Sequence, residues 1–411
     1  MTGRAKVRIV VGVLAALVAL LGDGAAVAGA SPRQAAPEGT ADWVQVSSGY
    51  HHTCGIRNTG RLYCWGKGDR GQLGLGGIGN ADTPLEVSGG ATDWKSVSAG
   101  SGWTCAIKTD GTLWCWGRDD YGGLGNGPTT GDQLTPVQIG TLTDWKSVSA
   151  GLGETTCGRR ANKRIYCWGR DDVGQVGNGP GTSTPVQSPV AVAGGFSDWS
   201  SVSTGGYHTC GRRSNGRVYC WGSDQDGSVG DGGTLPGTNR SSPTLVAGGF
   251  SDWTSVASGI THSCGRRASG RLFCWGSDLH GALGNGPPND NTGVSAPVQV
   301  KGNATDWKAV FAGSYETCAV KVDGRLFCWG DDFNGQNGAG TTTRTQRSKP
   351  TLVAGGFTDW KKATIGNTHV CGRRAANRIY CWGDGFFGQR GDDVSGLAGG
   401  VPQPTPTEVS S

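Results

Sequence analysis

The sequence predicts an all-β fold, a seven-bladed β-propeller with four short antiparallel strands per blade. Three observations lead there. A cysteine pair spaced by ten positions occurs seven times, each pair preceded by Asp-Trp and closed by Cys-Trp-Gly. The 76 glycines lie far above the usual ~7% share and follow no Gly-X-Y period, which suits many tight turns rather than collagen. Each unit of about 50 residues contains four strand-like pieces, the sequence pattern of propeller blades that bury their faces only by packing side by side.

The elements follow in chain order. Arg4, Lys6 and Arg8 precede an apolar run from Ile9 to Leu21 and then Ala28-Gly29-Ala30. A charged start, a short greasy core and an A-x-A site make the layout of a secretory signal peptide, and the core is too short to span a bilayer comfortably. Residues 1–30 are therefore read as a signal, 31–40 as a linker and 41–411 as the propeller, exported and starting near Ser31.

Within each unit the first strand follows the Asp-Trp, at Trp43, Trp94, Trp145, Trp199, Trp253, Trp307 and Trp360. The second and third flank a Gly-containing turn, as in Cys54–Arg57 and Leu62–Trp65. The fourth is Pro-led, as in TPLEV at 83–87, TPVQI at 135–139 and APVQV at 296–300. No Pro-led strand precedes Trp43, whereas TPTEV at 405–409 follows the last unit. The expectation is that the N- and C-terminal strands share the closing blade and leave no open sheet edge.

The pairs are Cys54 with Cys64, Cys105 with Cys115, Cys157 with Cys167, Cys210 with Cys220, Cys264 with Cys274, Cys318 with Cys328 and Cys371 with Cys381, which use every cysteine. Across the hairpin turn Cys54 lies opposite Cys64, within bridging distance. A zinc site wants four convergent ligands, commonly as CxxC elements, and a redox CxxC is missing. An even count in an exported chain favours seven intra-hairpin disulfides over free thiols in a reducing compartment or metal.

His-Thr-Cys, a Gly-containing turn, Leu-Tyr-Cys-Trp-Gly and then GDRGQLG at 68–74 together resemble the regulator of chromosome condensation repeat. The resemblance covers all seven units and implies the propeller fold. The family includes nucleotide exchange on a small nuclear GTPase, photoreception, receptor ectodomains and enzyme inhibition, so it leaves function open. An exported, disulfide-bonded chain with no inserted wedge hairpin and no basic tail after the signal departs from the exchange-factor members.

Candidate functional positions are those that vary on a repeated frame. Two residues before each first cysteine stand His52, Trp103, Thr155, His208, His262, Glu316 and His369. The histidines read as structural hydrogen-bonding residues, and Trp103 and Glu316 break the local rule. The loops after Trp-Gly vary at their tips, where Tyr121, Phe333, Phe386 and Phe387 are the large apolar members. Aromatics at a surface anchor interfaces, so Trp103, Tyr121, Phe333, Phe386 and Phe387 are the candidate ligand-binding residues; packing onto the neighbouring blade is the competing reading. In the four Cys-Gly-Arg-Arg hairpins the first arginine (Arg159, Arg212, Arg266, Arg373) takes the slot of Ile56, and is expected to stack on a tryptophan or pair with the preceding Asp, such as Asp198 or Asp252.

No nucleophile-base pair, paired acids or phosphate loop emerges, and no cofactor or metal is called for. Three of the basic residues behind the net charge of +5 lie on the signal, a weak basis for nucleic-acid binding. The sequence thus points to a secreted, monomeric, non-enzymatic scaffold for a protein or cell-envelope ligand, with inhibition among its possible uses. An exchange-factor-like regulator and a polysaccharide-acting propeller enzyme are the alternatives.

Overall fold

A computed structural model describes residues 42–128, 131–180, 184–287, 292–341, 346–394, 396 and 401–410. The signal and linker assigned to residues 1–40 lie outside them. The described chain forms seven four-stranded antiparallel sheets, each built from strands consecutive in sequence. Blade 1 comprises Trp43–Ser48, His52–Arg57, Leu62–Gly66 and Ala81–Glu86. The other six repeat it, and blade 5 adds a 3-10 turn at Leu279–Gly281. First strands of neighbouring blades pack on one another all the way round, so they form the innermost layer.

Each strand's chemistry fits its place. The second strand of blade 1 is buried at every residue, between its two sheet neighbours and the adjoining blades. The fourth strand is only partly buried and carries a proline in every blade: Pro84, Pro136, Pro189, Pro243, Pro297, Pro350 and Pro406. Proline cannot donate to a ladder and therefore belongs at an edge. The expectation of no open edges thus gives way to seven short outer edges blunted by proline.

The expected strand exchange at the ring's seam does not occur. The C-terminal strand, Gln403–Glu408, pairs with Ile379–Gly383 of its own unit, Cys381 opposite Thr407. The physical reason is a matter of counting: seven Asp-Trp strands and seven Pro-led strands leave every unit complete. The ring closes through the contact that joins all other blades. Trp43 N–H donates to Asn377 O at 2.9 Å, as Trp94 N–H donates to Gly60 O and Trp360 N–H to Gly324 O, both at 3.0 Å.

Every cysteine is bonded to the partner facing it across its own hairpin. Cys54 joins Cys64 in blade 1, Cys105 joins Cys115 in blade 2, and Cys157 joins Cys167 in blade 3. Cys210 joins Cys220, Cys264 joins Cys274, Cys318 joins Cys328 and Cys371 joins Cys381 in blades 4 to 7. The Cα atoms of the bonded partners lie 4.0–4.1 Å apart. Beside each bridge two tryptophans fill the space between blades; Trp43 and Trp65 lie 5.7 Å apart and both are buried.

Candidate functional site

A relay of buried polar groups joins the blades and fixes the loops that follow Trp-Gly. His52 Nε2 meets Thr104 Oγ1 of the next blade at 2.9 Å, and Thr104 Oγ1 donates to Gln72 O at 2.8 Å. Because the hydroxyl proton is committed to that carbonyl, the imidazole must donate. The Nε2–H tautomer follows, with Nδ1 buried and unpartnered. The same relay links His208 to Ser263, His262 to Thr317 and, across the seam, His369 to Thr53. Burial holds these imidazoles neutral, lowering them to about 3 at His52, His208 and His369 and to about 4 at His262.

Trp103, expected at a ligand surface, is a part of this relay. It is 1% exposed, and its indole N–H donates to Thr156 Oγ1 at 3.0 Å. An indole N–H replaces an imidazole N–H, and only a crevice of about 10 Å³ remains above it, lined by Arg118, Asp120, Tyr121 and Glu154. Glu316 marks a different break. It faces blade 7 where Val370 replaces the serine or threonine, and while Oε2 accepts from Tyr315 N–H at 2.9 Å, Oε1 is buried without a partner. Burial pushes its carboxyl well above the ordinary range.

The Trp-Gly loops divide the face into two halves. Over blades 1–3 the charges satisfy one another. Arg70 pairs with Asp132 and Asp120, Arg118 with Asp120 and Glu154, and Arg170 with Asp172. Tyr121 lies there, with the Arg170 guanidinium 5.5 Å from its ring. Over blades 6 and 7 the loop begins with aspartate instead of a cation. Asp331 Oδ1 accepts from Phe333 N–H at 3.1 Å and Oδ2 from Gln336 at 3.0 Å. Asp384 repeats this with Phe386 at 3.0 Å and Gln389 at 3.1 Å. Each aspartate turns the chain so that the phenyl two residues on stands out: Phe333 is 58% and Phe386 44% exposed.

The structure therefore places Phe333 and Phe386 on corresponding turns of adjacent blades. Phe387 is set back, against Phe386 at 5.0 Å and His51 at 5.1 Å. Tyr121 belongs to the ion-paired half and Trp103 to the interior. Sequence reasoning missed Asp331 and Asp384, whose signal is an Asp-x-Phe directly after Trp-Gly that no other blade carries. It also missed exposed Tyr207 and partly buried Tyr315, three positions before their cysteines.

The paired arginines resolve differently from expectation. The second of each pair reaches the aspartate: Arg160 to Asp144, Arg213 to Asp198, Arg267 to Asp252 and Arg374 to Asp359, all at 2.7 Å. That residue pairs directly with the tryptophan after the aspartate, across a bulge that turns the preceding arginine away. Arg212 and Arg266 instead donate to the backbone carbonyls of Trp253 and Trp307 in the next blade. The repeated buried acids are loop formers, Asp119 accepting from Leu124 N–H and Asp171 from Val176 N–H. Burial raises both to about 6. No cluster of three or more His, Cys, Asp or Glu able to hold a metal, and no helix long and apolar enough to cross a membrane, occurs among the described residues.

A family model described as Regulator of chromosome condensation (RCC1) repeat matches seven segments, residues 43–72, 94–122, 145–175, 199–228, 253–282, 307–336 and 360–389. A second with the same description matches six segments between residues 59 and 372. The chain is 30% identical over 356 residues to the ultraviolet-B receptor UVR8 of Arabidopsis thaliana, covering 84% of this chain and 78% of that protein. It is 28% identical over 297 residues to RUG3, a mitochondrial RCC1 domain-containing protein of the same plant; 70% of this chain matches 65% of RUG3, under two thirds of that relative's length. Among solved structures it resembles Prp20p of Saccharomyces cerevisiae, with a TM-score of 0.70, 18% identity, and coverage of 90% of this chain and 88% of that one.

Proposed function

The chain belongs to the regulator of chromosome condensation repeat family, and from that premise we propose that it is an exported, non-enzymatic binding scaffold. Its ligand is a protein or cell-envelope component, gripped by the Trp-Gly loop face at blades 6 and 7. The carrying observation is the doubled Asp-x-Phe turn, which presents Phe333 and Phe386 to solvent on neighbouring blades. Rings held out by a hydrogen-bonded turn lose little freedom when a partner covers them, and aromatic anchors of this kind carry a disproportionate share of interface energy. Seven disulfides support an oxidising compartment. Prp20p is described as binding Gsp1p and histones; the proposal takes from this only the class, a protein partner. Inhibition is one form such binding can take.

The test is capture from culture medium or envelope extract by the oxidised protein, compared with F333A/F386A and with Y121A from the ion-paired half. The double variant is expected to lose its ligand by at least about tenfold, given hot-spot costs above ~1–2 kcal/mol per aromatic anchor, while Y121A retains it. Unchanged capture by F333A/F386A would remove this face from consideration.

A further inference from the structure

On the opposite end of the blades, where each fourth strand runs into the next first strand, the repeat carries an aromatic ring in some units and lacks it in others. In blades 4, 5 and 7 the linker reads Ala-Gly-Gly-Phe before Ser/Thr-Asp-Trp. Phe196 lies 5.6 Å from Trp199 and 5.4 Å from Tyr219, with the Arg213 guanidinium 4.1 Å from its ring. Phe250 and Phe357 repeat that arrangement under Arg267 and Arg374, at 3.9 and 3.8 Å. In blade 2 the corresponding residue is Ala91, and the arginine is Lys108.

The ring's place stays empty there. A Cβ on Gly194, Gly248 or Gly355 would meet the phenyl edge at 2.6–3.0 Å, whereas one on the corresponding Gly89 meets nothing within 4 Å. A pocket of about 320 Å³ remains, lined by Ala91, Trp94, Lys108, Trp114, Thr135 and Pro136. Its walls are those of the filled sites: Trp94 and Trp114 stand edge-to-face at 6.4 Å, and Lys108 Nζ sits 5.1 Å from each ring, tethered to Asp93 at 3.1 Å. That volume is at the small end for ligand pockets, ~300–1,000 Å³, and suits one ring.

We infer that the blade 2 pocket receives a phenylalanine side chain from a partner protein, seated between Trp94 and Trp114 as Phe196 is seated in blade 4. The occupant's chemistry is read from the three sister sites, which hold a phenyl under a cation, and Lys108 supplies that cation for the incoming π face. The ring cannot come from this chain's undescribed segments, because none of them contains Phe, Tyr or Trp. The pocket lies on the opposite end from Phe333 and Phe386, so this inference stands apart from the proposed ligand face.

Calorimetric titration of the oxidised full chain with acetyl-Ala-Gly-Gly-Phe-Ser-Asp-amide, against the same peptide with alanine for phenylalanine, tests it. The Phe peptide is expected to bind and the Ala peptide to bind at least about tenfold more weakly, from the loss of aromatic packing. A91F, which supplies the ring in cis, is expected to melt higher and to lose the peptide; W114A, which removes a wall, is expected to lose it as well. A304F, at the corresponding position of blade 6, is expected to bind like the parent. Equal binding of the two peptides, or retention of the Phe peptide by both A91F and W114A, would overturn the inference. So would loss of binding in A304F alone, tighter binding of cellobiose than of the Phe peptide, or concentration-dependent dimerisation that A91F abolishes.

Discussion

Glu316 stands where four sister blades place a neutral histidine, and its counterpart across the blade interface is Val370 rather than a hydroxyl. One oxygen therefore has no partner in a fully buried site. A carboxyl in that position folds more readily protonated than charged, so its folded value lies above the ordinary 4.5. The sign follows: below the unfolded value both states hold the proton and stability is unaffected, and as pH rises through the raised folded value the native state is progressively penalised. E316Q removes the charge but keeps the shape. Its stability relative to the parent is expected to improve as pH rises from about 4.5 to 8, by at least about 1 kcal/mol. Urea midpoints across that range check it, and a difference that does not grow with pH would show that the carboxyl ionises without cost. The paired change E316H/V370T is expected to install the missing relay and raise stability at pH 7.

The hairpin with its bridge is the repeated element, and its energetics are local. A disulfide closing a loop of about 11 residues removes roughly 2–3 kcal/mol of unfolded-chain entropy, less where the reduced hairpin retains structure. C210S/C220S is expected to lower the unfolding free energy by about 2 kcal/mol while leaving the blade intact, because Trp199 and Trp221 still pack there at 6.0 Å. Circular dichroism melts check this, and complete loss of the fold would show that the bridge is required for assembly. At this scale the sequence was easy to read, since register, turn and cysteine spacing are all short-range. The strand exchange was misread because the absence of a Pro-led strand before Trp43 looked like half of a swap; it only marks where the unit begins. The arginine roles were inverted because the bulge at Trp199/Ser201, which decides which neighbour faces the aspartate, leaves no mark in a residue pattern. Trp103 looked like an exposed departure because spacing cannot show that an indole N–H fits the histidine relay. Phe333 and Phe386 were found as loop tips, but the aspartates that hold them out were not, because those hydrogen bonds depend on the folded turn.

For the whole ring, the question is whether the seam between blades 7 and 1 is a weak point. A shared strand would have closed it through a ladder; the structure closes it through side-by-side contacts alone. Thr53 accepts from His369 at 2.8 Å and donates to Gln389 O at 3.0 Å, and Ser48 N–H donates to Thr364 Oγ1 at 2.8 Å. Thr104 performs the same relay between blades 1 and 2, from His52 to Gln72 O at 2.9 and 2.8 Å. Because the groups, burial and geometry coincide, T53V and T104V should each strand a buried imidazole N–H and cost about 1–3 kcal/mol, equally at the seam and within the ring. Denaturant titration distinguishes the possibilities through both midpoint and slope, since the slope reports the surface exposed on unfolding. A smaller slope confined to T53V would mean that the ring opens at the seam before it unfolds. Matching midpoints and slopes would establish that the seam is equivalent to the interface between blades 1 and 2, with closure coming from repetition of one contact.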